Sequence, residues 1–559
     1  MKPLPLALSW VLVSPCALAQ VLVAEGDVFP GLGTVLDVGE VVVHDSGRWA
    51  ATVVLSGGTG GFQSLVVDGA VVAAAGEPLP GLPTGSEASS LFQPVSLEFD
   101  PDGRLLWVAN GLASASGTGF GTMVVYRDLE PIAVEGELVG AAGLNPSTAY
   151  RGFWQVRAAG PDQALIHASA DDPDIFGITD NHLILLEGAP GSSIGATRLY
   201  SRGDQLPGLE GQVQQFGEFW EGVASNANGE VLYVVDSTES ESALFLDDEL
   251  LAKSGEASPL FAELWGFFGR VSTALNDQGD YAFVGRTFVP DAASEGVYWN
   301  GSKVACLGDS LPDIAPFAFD RFFLLDNTRP ASVHLDANGR VYWIAGWADS
   351  DPSTDLGIFV DQELLLREGS TFVDGLRVVD FYPLSGVTAP IVDVSQSGRF
   401  IGLRAELEDG RRAAIRVQPN GATLPLTPCV AQAGTLEVTS AAPGQGMFYT
   451  VGNAPQAGAL AFVGVSTAQL FGPGGCGIDL PGAGELQVDL APGALLVVDE
   501  GLFPTFAPAT SAPVVGTPIP DNPALAGFSI FVQGLWIDPA PGTTEPLRLT
   551  NAVELVIGT

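Results

Sequence analysis

Apolar and polar positions along residues 21–421 fall into short strand-like runs such as Arg340-Val341-Tyr342-Trp343-Ile344-Ala345, each bounded by Gly, Asn, Asp or Pro. Almost nothing outside the first twenty residues follows a helical period, so an all-β fold is predicted. Two hairpin signatures alternate. The first is a turn between apolar runs: His44-Asp45-Ser46-Gly47, Asp100-Pro101-Asp102-Gly103, Ala159-Gly160-Pro161-Asp162, Asn226-Ala227-Asn228-Gly229, Asn276-Asp277-Gln278-Gly279, Asp336-Ala337-Asn338-Gly339 and Ser395-Gln396-Ser397-Gly398. Their last residues are 56, 59, 67, 50, 60 and 59 positions apart, a period of about 58. The second is a strand, a polar turn and a strand, as in Leu65–Val72 and Val297–Val304, leading into Gly76-Glu77-Pro78-Leu79-Pro80, Gly203-Asp204-Gln205-Leu206-Pro207 or Gly308-Asp309-Ser310-Leu311-Pro312. Two hairpins per period give four strands, the content of one propeller blade. Gly and Asn supply the positive φ that such turns need.

The array opens in mid-repeat, with the tail phrase Gly26-Asp27-Val28-Phe29-Pro30 and no head before it, and it closes on a head, Ala414–Gly421, with no tail. A ring would let the N-terminal strand complete the last blade and hide both edges. The pattern therefore predicts a seven-bladed β-propeller over residues 20–421. After a linker at 422–428, residues 429–559 turn richer in Ala, Pro and Gly. Runs such as Leu495–Val498, Phe528–Val532 and Val553–Ile557 there predict a separate C-terminal β-sandwich.

Composition adds compartment and partner class. With 65 Asp+Glu against 23 Lys+Arg the net charge is −42, which repels phosphate backbones and disfavours nucleic acid as a partner. Mean hydropathy of +0.28 demands a large buried core. Residues 1–19 read as a signal peptide, with Lys2, an apolar stretch from Leu4 to Val13 and Ala17-Leu18-Ala19 before Gln20. Pro15 ahead of Cys16 argues against a lipid-attachment site. No other run has the length to span a membrane, so the product is expected to be exported, at the surface or beyond it, and monomeric. In that oxidising setting Cys429 and Cys476, both flanked by turn residues, are the expected disulfide, worth roughly 4 kcal/mol of chain entropy. Cys306, within Val304–Leu307, is expected to be a buried apolar thiol.

Asn276-Asp277-Gln278-Gly279-Asp280-Tyr281-Ala282-Phe283 matches in full the Asn-x-x-Gly-x-x-Ala-Phe repeat of a family of exported bacterial proteins with variable C-terminal anchors, and residues 21–421 resemble that family in spacing. The other copies depart in letters: His44, Ser395 and Ala159 stand for the Asn, and Leu106-Trp107 or Tyr342-Trp343 for Ala-Phe. Ile519-Pro520 leading to Leu525, then Phe531-Val532-Gln533 and Thr550-Asn551-Ala552, is similar to a domain appended to exported proteins of planctomycete-type bacteria. Both resemblances imply surface or secreted proteins and carry no catalytic residues to transfer.

Four chemistries can be weighed. Gly191-Ser192-Ser193-Ile194-Gly195 has the letters of a hydrolase elbow but no helix pattern after it. His44, His167, His182 and His334 show no zinc spacing. Asp171-Asp172-Pro173-Asp174 and Asp349–Asp355 could hold calcium but lack the alternating loop pattern, so solvated loops are the simpler reading. An aromatic and Arg segment recurs ahead of the repeated turn, in Arg151–Trp154, Phe219-Trp220, Trp265–Arg270 and Arg321–Phe323. Ring closure would bring these near one rim or the central tunnel, making Trp154, Trp220, Trp265, Arg270, Arg321 and Phe322 candidates to bind a glycan or other ligand, unless the rings pack between blades. No cofactor is implied, with calcium the exception to test. The chain reads as an exported, non-enzymatic binding or interaction protein. The alternatives are an extracellular polysaccharide hydrolase or lyase with carboxylates from several blades, or a structural envelope component.

Overall fold

The computed structural model describes residues 19–418, except 57–61, 83–85, 89–94, 114–120, 172–179, 217–221, 259–263, 267–271, 290–291, 323–331, 350–353, 370, 375 and 382–391. Beyond 418 it describes residues 423–425, 435–438, 446–452, 460–466, 478–480, 484–487, 495–498, 511–518, 529–537 and 547–556. It divides the chain into two compact units, Ala19–Val417 and Gln418–Thr559.

In the first unit seven antiparallel sheets follow one another, one per repeat. The first blade runs from an inner strand Gly33–Val43 outward through Trp49–Leu55 and Phe62–Val67 to Ala70–Ala74. The inner strands of the next six are Val95–Phe99, Ala149–Gly160, Val223–Ser225, Thr273–Leu275, Val333–Leu335 and Val392–Val394. Each lies against its successor, and the seventh lies against the first, so the sheets close into a β-propeller. The offset read from the two ends of the array is the closure itself: Ala19–Ala24 pairs antiparallel with Arg412–Val417 in the seventh blade, Ala19 opposite Val417 and Ala24 opposite Ala413. Among the described residues the one helical element is a 3-10 turn, Pro312–Ile314.

The first repeated turn joins each inner strand to the second strand, and its leading residue does two jobs. Asn276 Oδ1 accepts the backbone N–H groups of Gln278 at 3.1 Å and Asp280 at 2.9 Å, while its Nδ2 donates to the Asp336 carbonyl of the next blade at 3.1 Å. Asn226 repeats this with Asn228, Glu230 and the Asn276 carbonyl. Only a side chain with an acceptor and a donor can cap its own turn and bridge forward. His44 manages both: Nδ1 accepts from Ser46 N–H at 3.2 Å, and Nε2 reaches the Pro101 carbonyl at 3.4 Å. We expect Asn276→Ala to cost about 2–3 kcal/mol, since it orphans buried backbone groups in two blades. Urea unfolding beside Asn276→Asp, which keeps the turn cap and loses the bridge, checks this.

The second turn, between the two outer strands, holds Asp68, Asp128, Asp247, Asn300 and Asp361 at φ of 49°, 50°, 49°, 45° and 52°. Each side chain accepts the N–H of the residue that opens the second strand: Trp49, Leu105, Val231, Tyr281 and Val341. In the Gly-acid phrase the acid accepts the N–H three residues back, as Asp204 does from Ser201 and Asp309 from Cys306.

The second unit has a five-stranded sheet ordered 423–425, 547–556, 529–537, 460–466, 495–498, and a three-stranded sheet of 435–438, 446–452 and 511–518. Strand Thr435–Val438 packs against Leu547–Val556, giving the two layers of a β-sandwich with Trp536, Val532 and Val553 buried. Cys429 and Cys476 lie outside the described residues. Cys306 is buried and unpaired, and burial pushes its thiol up to about 11.

Candidate functional site

An inner strand shows the ring axis an unpaired edge of N–H and C=O groups, which must find partners. Polar side chains of the neighbouring blades supply them. Asp393 Oδ2 accepts Val43 N–H at 2.8 Å, Glu40 Oε1 accepts Leu97 N–H at 3.2 Å, and Glu98 Oε1 accepts Ala158 N–H at 3.3 Å. Arg157 donates Nε to the Val223 carbonyl at 3.1 Å, Ser225 donates to the Ala158 carbonyl at 3.0 Å, and Ser272 accepts Val333 N–H at 3.0 Å. The inner strands are thus stitched around the circumference by side chains that also face the axis.

Those side chains, Glu40 apart, surround a cavity of about 190 Å³ lined by all seven inner strands. Counting back two residues from the start of each repeated turn gives one layer around the axis: Val42, Glu98, Arg157, Ala224, Ala274, His334 and Asp393, all lining the cavity. The layer is lopsided. Blades six, seven, two and three contribute His334, Asp393, Glu98 and Arg157, with Glu40 of blade one buried close by, whereas blades four and five contribute only Ala224 and Ala274. Arg157 Nη1 pairs with Glu98 Oε2 at 3.2 Å, and His334 Nδ1 stands 4.0 Å from Asp393 Oδ1.

Burial dominates the electrostatics of this layer. It pushes Glu40 and Asp393 up to about 7 and raises Glu98, against the downward pull of backbone N–H donors and Arg157. It also holds His334 neutral, down to about 4, against the upward pull of the Val392 backbone. One guanidinium therefore faces three carboxyl groups. At the turn side Gln396 skips the sixth blade to donate to Asp277 Oδ2 of the fifth at 2.6 Å, while Ala337 N–H donates to the Gln396 carbonyl at 2.6 Å. Side chains reach over that mouth.

The aromatic and Arg candidates are dispersed. Trp154 sits at a bulge in the inner strand of the third blade and is 49% exposed. Trp265 is 3% exposed, edge-on to Tyr298 at 4.9 Å, and Phe322 is 1% exposed, stacked on Trp343 at 5.6 Å. Both belong to blade interiors, which takes them out of any surface site. Arg321 pairs with Asp355 at 2.7 Å, and Trp220 and Arg270 lie outside the described residues. Ser192 sits in a loop before the strand Gly195–Ser201, where a hydrolase elbow needs a helix, and donates to the Ala189 carbonyl at 2.6 Å. Asp171 pairs with Arg151, and Asp349 with Arg367 at 3.5 Å. The remaining acids of the two proposed calcium clusters, Asp355 apart, lie outside the described residues. His182 bonds Ser201 at 2.7 Å, and His167 is held neutral by burial. Among the described residues no group of three or more His, Cys, Asp or Glu side chains is placed to hold one metal ion. No helix among them is long and apolar enough to cross a membrane.

No family model matches the sequence, and no curated protein does. Solved structures similar to the chain include the WD40 β-propeller domain of Doa1 at 14% identity, covering 62% of this chain and 97% of that one with a TM-score of 0.23. Others are the polysaccharide lyase Uly1, at 9% identity, 70% and 91% coverage and TM-score 0.33, and the Aleuria aurantia lectin, at 11% identity, 58% and 94% coverage and TM-score 0.26.

Proposed function

We propose that this protein is an exported binding propeller that takes a small ligand in the cavity on its ring axis. The observation that carries this reading is the layer in which Glu98, Arg157, His334 and Asp393, from four different blades, converge on one cavity, with burial raising Glu98 and pushing Asp393 up to about 7. These side chains also satisfy backbone groups of neighbouring inner strands, and a cluster of desolvated titratable groups lining a cavity is on physical grounds a candidate site. Expectations of export and of a monomer rest on the sequence: the leader at 1–19 and the soluble, acidic character of the rest.

The rival reading, a polysaccharide hydrolase or lyase, is favoured by one observation: carboxyl groups from blades two and seven line this space, as a multi-blade active site requires. The cavity volume of about 190 Å³ weighs against it, because a polymer needs an open cleft for the sugars on either side of the reacting one. Thermal-shift screening of the full chain against small metabolites, glycans and salts tests the binding reading. A stabilising ligand is expected, and Ser225→Phe, which fills the cavity, should abolish its effect without changing the far-ultraviolet circular dichroism. Polysaccharide turnover lost in Glu98→Gln would overturn the reading in favour of the enzyme.

A further inference from the structure

We infer that the side chain of Gln396 is a strap across the turn-side mouth of the axial cavity, and that it must swing off Asp277 before a ligand can enter. The inference rests on the cavity being a binding site, and it comes from how the rim above the axial layer is built. Each blade brings its repeated turn to that rim. Blades three, four and six contribute Gly160, Ala227 and Ala337, which carry no side chain beyond a methyl group and leave an opening between them. His44 of blade one is engaged with Ser46 of its own turn and with the Pro101 carbonyl. Asp277 of blade five and Gln396 of blade seven are left to cover the mouth, and they meet over it, with Nε2 donating to Oδ2 at 2.6 Å. Every other bridge described above joins neighbouring blades, whereas this one spans the blade between, where Ala337 offers only a methyl group.

The two ends of the strap are held differently, and that difference lets it move. Asp277 is fixed from blade four: its Oδ1 accepts Ala227 N–H at 2.8 Å, and its carbonyl accepts from Asn228 Nδ2 at 2.6 Å. The backbone of Gln396 is fixed by Ala337 N–H, which donates to its carbonyl at 2.6 Å. Between that anchor and Asp277 lie only the side-chain torsions of a glutamine, and the bond at their end is exposed to solvent. Rotation about them breaks one hydrogen bond, leaves both turns in place and moves no backbone. Exposed rotamer changes of this kind take nanoseconds or less once the bond is free. Opening therefore costs one charge-assisted bond, and the mouth that results is bordered by Gly160, Ala227 and Ala337.

Thiol labelling of the full chain tests this without a ligand. Ala274→Cys places a thiol in the axial layer, on the blade that carries Asp277, and its reaction with methyl methanethiosulfonate, a small neutral reagent, is followed by mass spectrometry at neutral pH. Adding Gln396→Ala is expected to raise the labelling rate about tenfold, the weight of one hydrogen bond to a charged group. Adding Gln396→Glu instead, which keeps the bulk but when ionised can only accept, should raise it as much. The buried thiol of Cys306, in the outer strand Ser302–Cys306 of the same blade, is the internal control and should stay equally slow in all three proteins. Equal labelling of the Ala274→Cys thiol with and without the strap, or none in any variant, would overturn the inference, since the reagent would then enter elsewhere or not at all. A faster reaction with alanine alone would overturn it in favour of simple bulk at the mouth. Faster labelling at both thiols would mean a loosened blade and would overturn it as well. None of these outcomes decides the binding reading, which stands or falls on the ligand screen and Ser225→Phe.

Discussion

Trp343→Ala is expected to lower the stability of the ring by about 3–5 kcal/mol, the range for removing a fully packed large aromatic. Trp343 is 2% exposed on the second strand of the sixth blade, stacked on Phe359 at 4.5 Å, with Phe319 edge-on at 5.3 Å. Its indole N–H donates to the Asp361 carbonyl at 2.8 Å, so the substitution opens a cavity and also strips a partner from the turn between the outer strands. Trp343→Phe should recover most of the packing and retain a deficit of about 1 kcal/mol for the lost bond. Trp154→Ala, at an exposed ring, should move the unfolding transition by less than about 0.5 kcal/mol. Urea denaturation of the three variants gives the order directly. Equal small shifts for Trp343→Ala and Trp154→Ala would mean that the sixth blade is not packed as described.

That tryptophan also shows how much of the fold was legible in the sequence. Ala282 and Phe283 fill the last two letters of the one full repeat, and both are buried. Tyr342-Trp343 and Leu106-Trp107 fill the same slots in other blades, where Trp107 stacks on Tyr126 at 4.4 Å and donates to the Asp128 carbonyl at 2.7 Å. Tyr233 does the same with its hydroxyl toward Asp247. The letters vary because the slot asks only for a large ring, and a ring with a donor finds a carbonyl already in place. Periodicity and turn chemistry are local signals, so the blade order and the strand that closes the ring could be read from them.

The axial layer was equally present in the letters and harder to see. Glu98, Arg157, His334 and Asp393 all stand two residues before the repeated turn, each between apolar neighbours such as Val333 and Leu335. A charged residue at a fixed offset in an apolar inner strand is the signal. The histidines hid it, because His44 belongs to the turn itself, His167 to the next strand, and only His334 to the layer. The aromatic and Arg segments drew attention because aromatic residues are conspicuous, yet Trp265 and Phe322 are conspicuous for core reasons. Single-residue pairing across four blades comes only from the closed ring.

Asp393→Asn is expected to stabilise the protein, by an amount that grows as pH rises from 4 to 7. Burial raises the Asp393 carboxyl from 3.8 to about 7, so between those values the unfolded chain ionises while the folded ring still holds its proton. Stability contributed by this group is fully present below pH 4 and is lost as pH rises through 7, where the ionised form carries a penalty of about 4 kcal/mol. Asparagine can accept the same Val43 N–H and never ionises. Wild type and variant should therefore unfold alike at pH 4, diverge up to about pH 7 and keep a constant gap above it, with the variant the more stable by up to that amount. His167 and His334 act in the opposite sense, losing stability as pH falls from 6.5 toward 4, but they do so in both proteins and cancel in the difference. Arg157, Glu40 and Glu98 remain to partition the charge, so a smaller gap with the same sign and pH window keeps the account. A variant destabilised at pH 8 would show instead that Asp393 is ionised at low cost and paired in a way that burial does not describe.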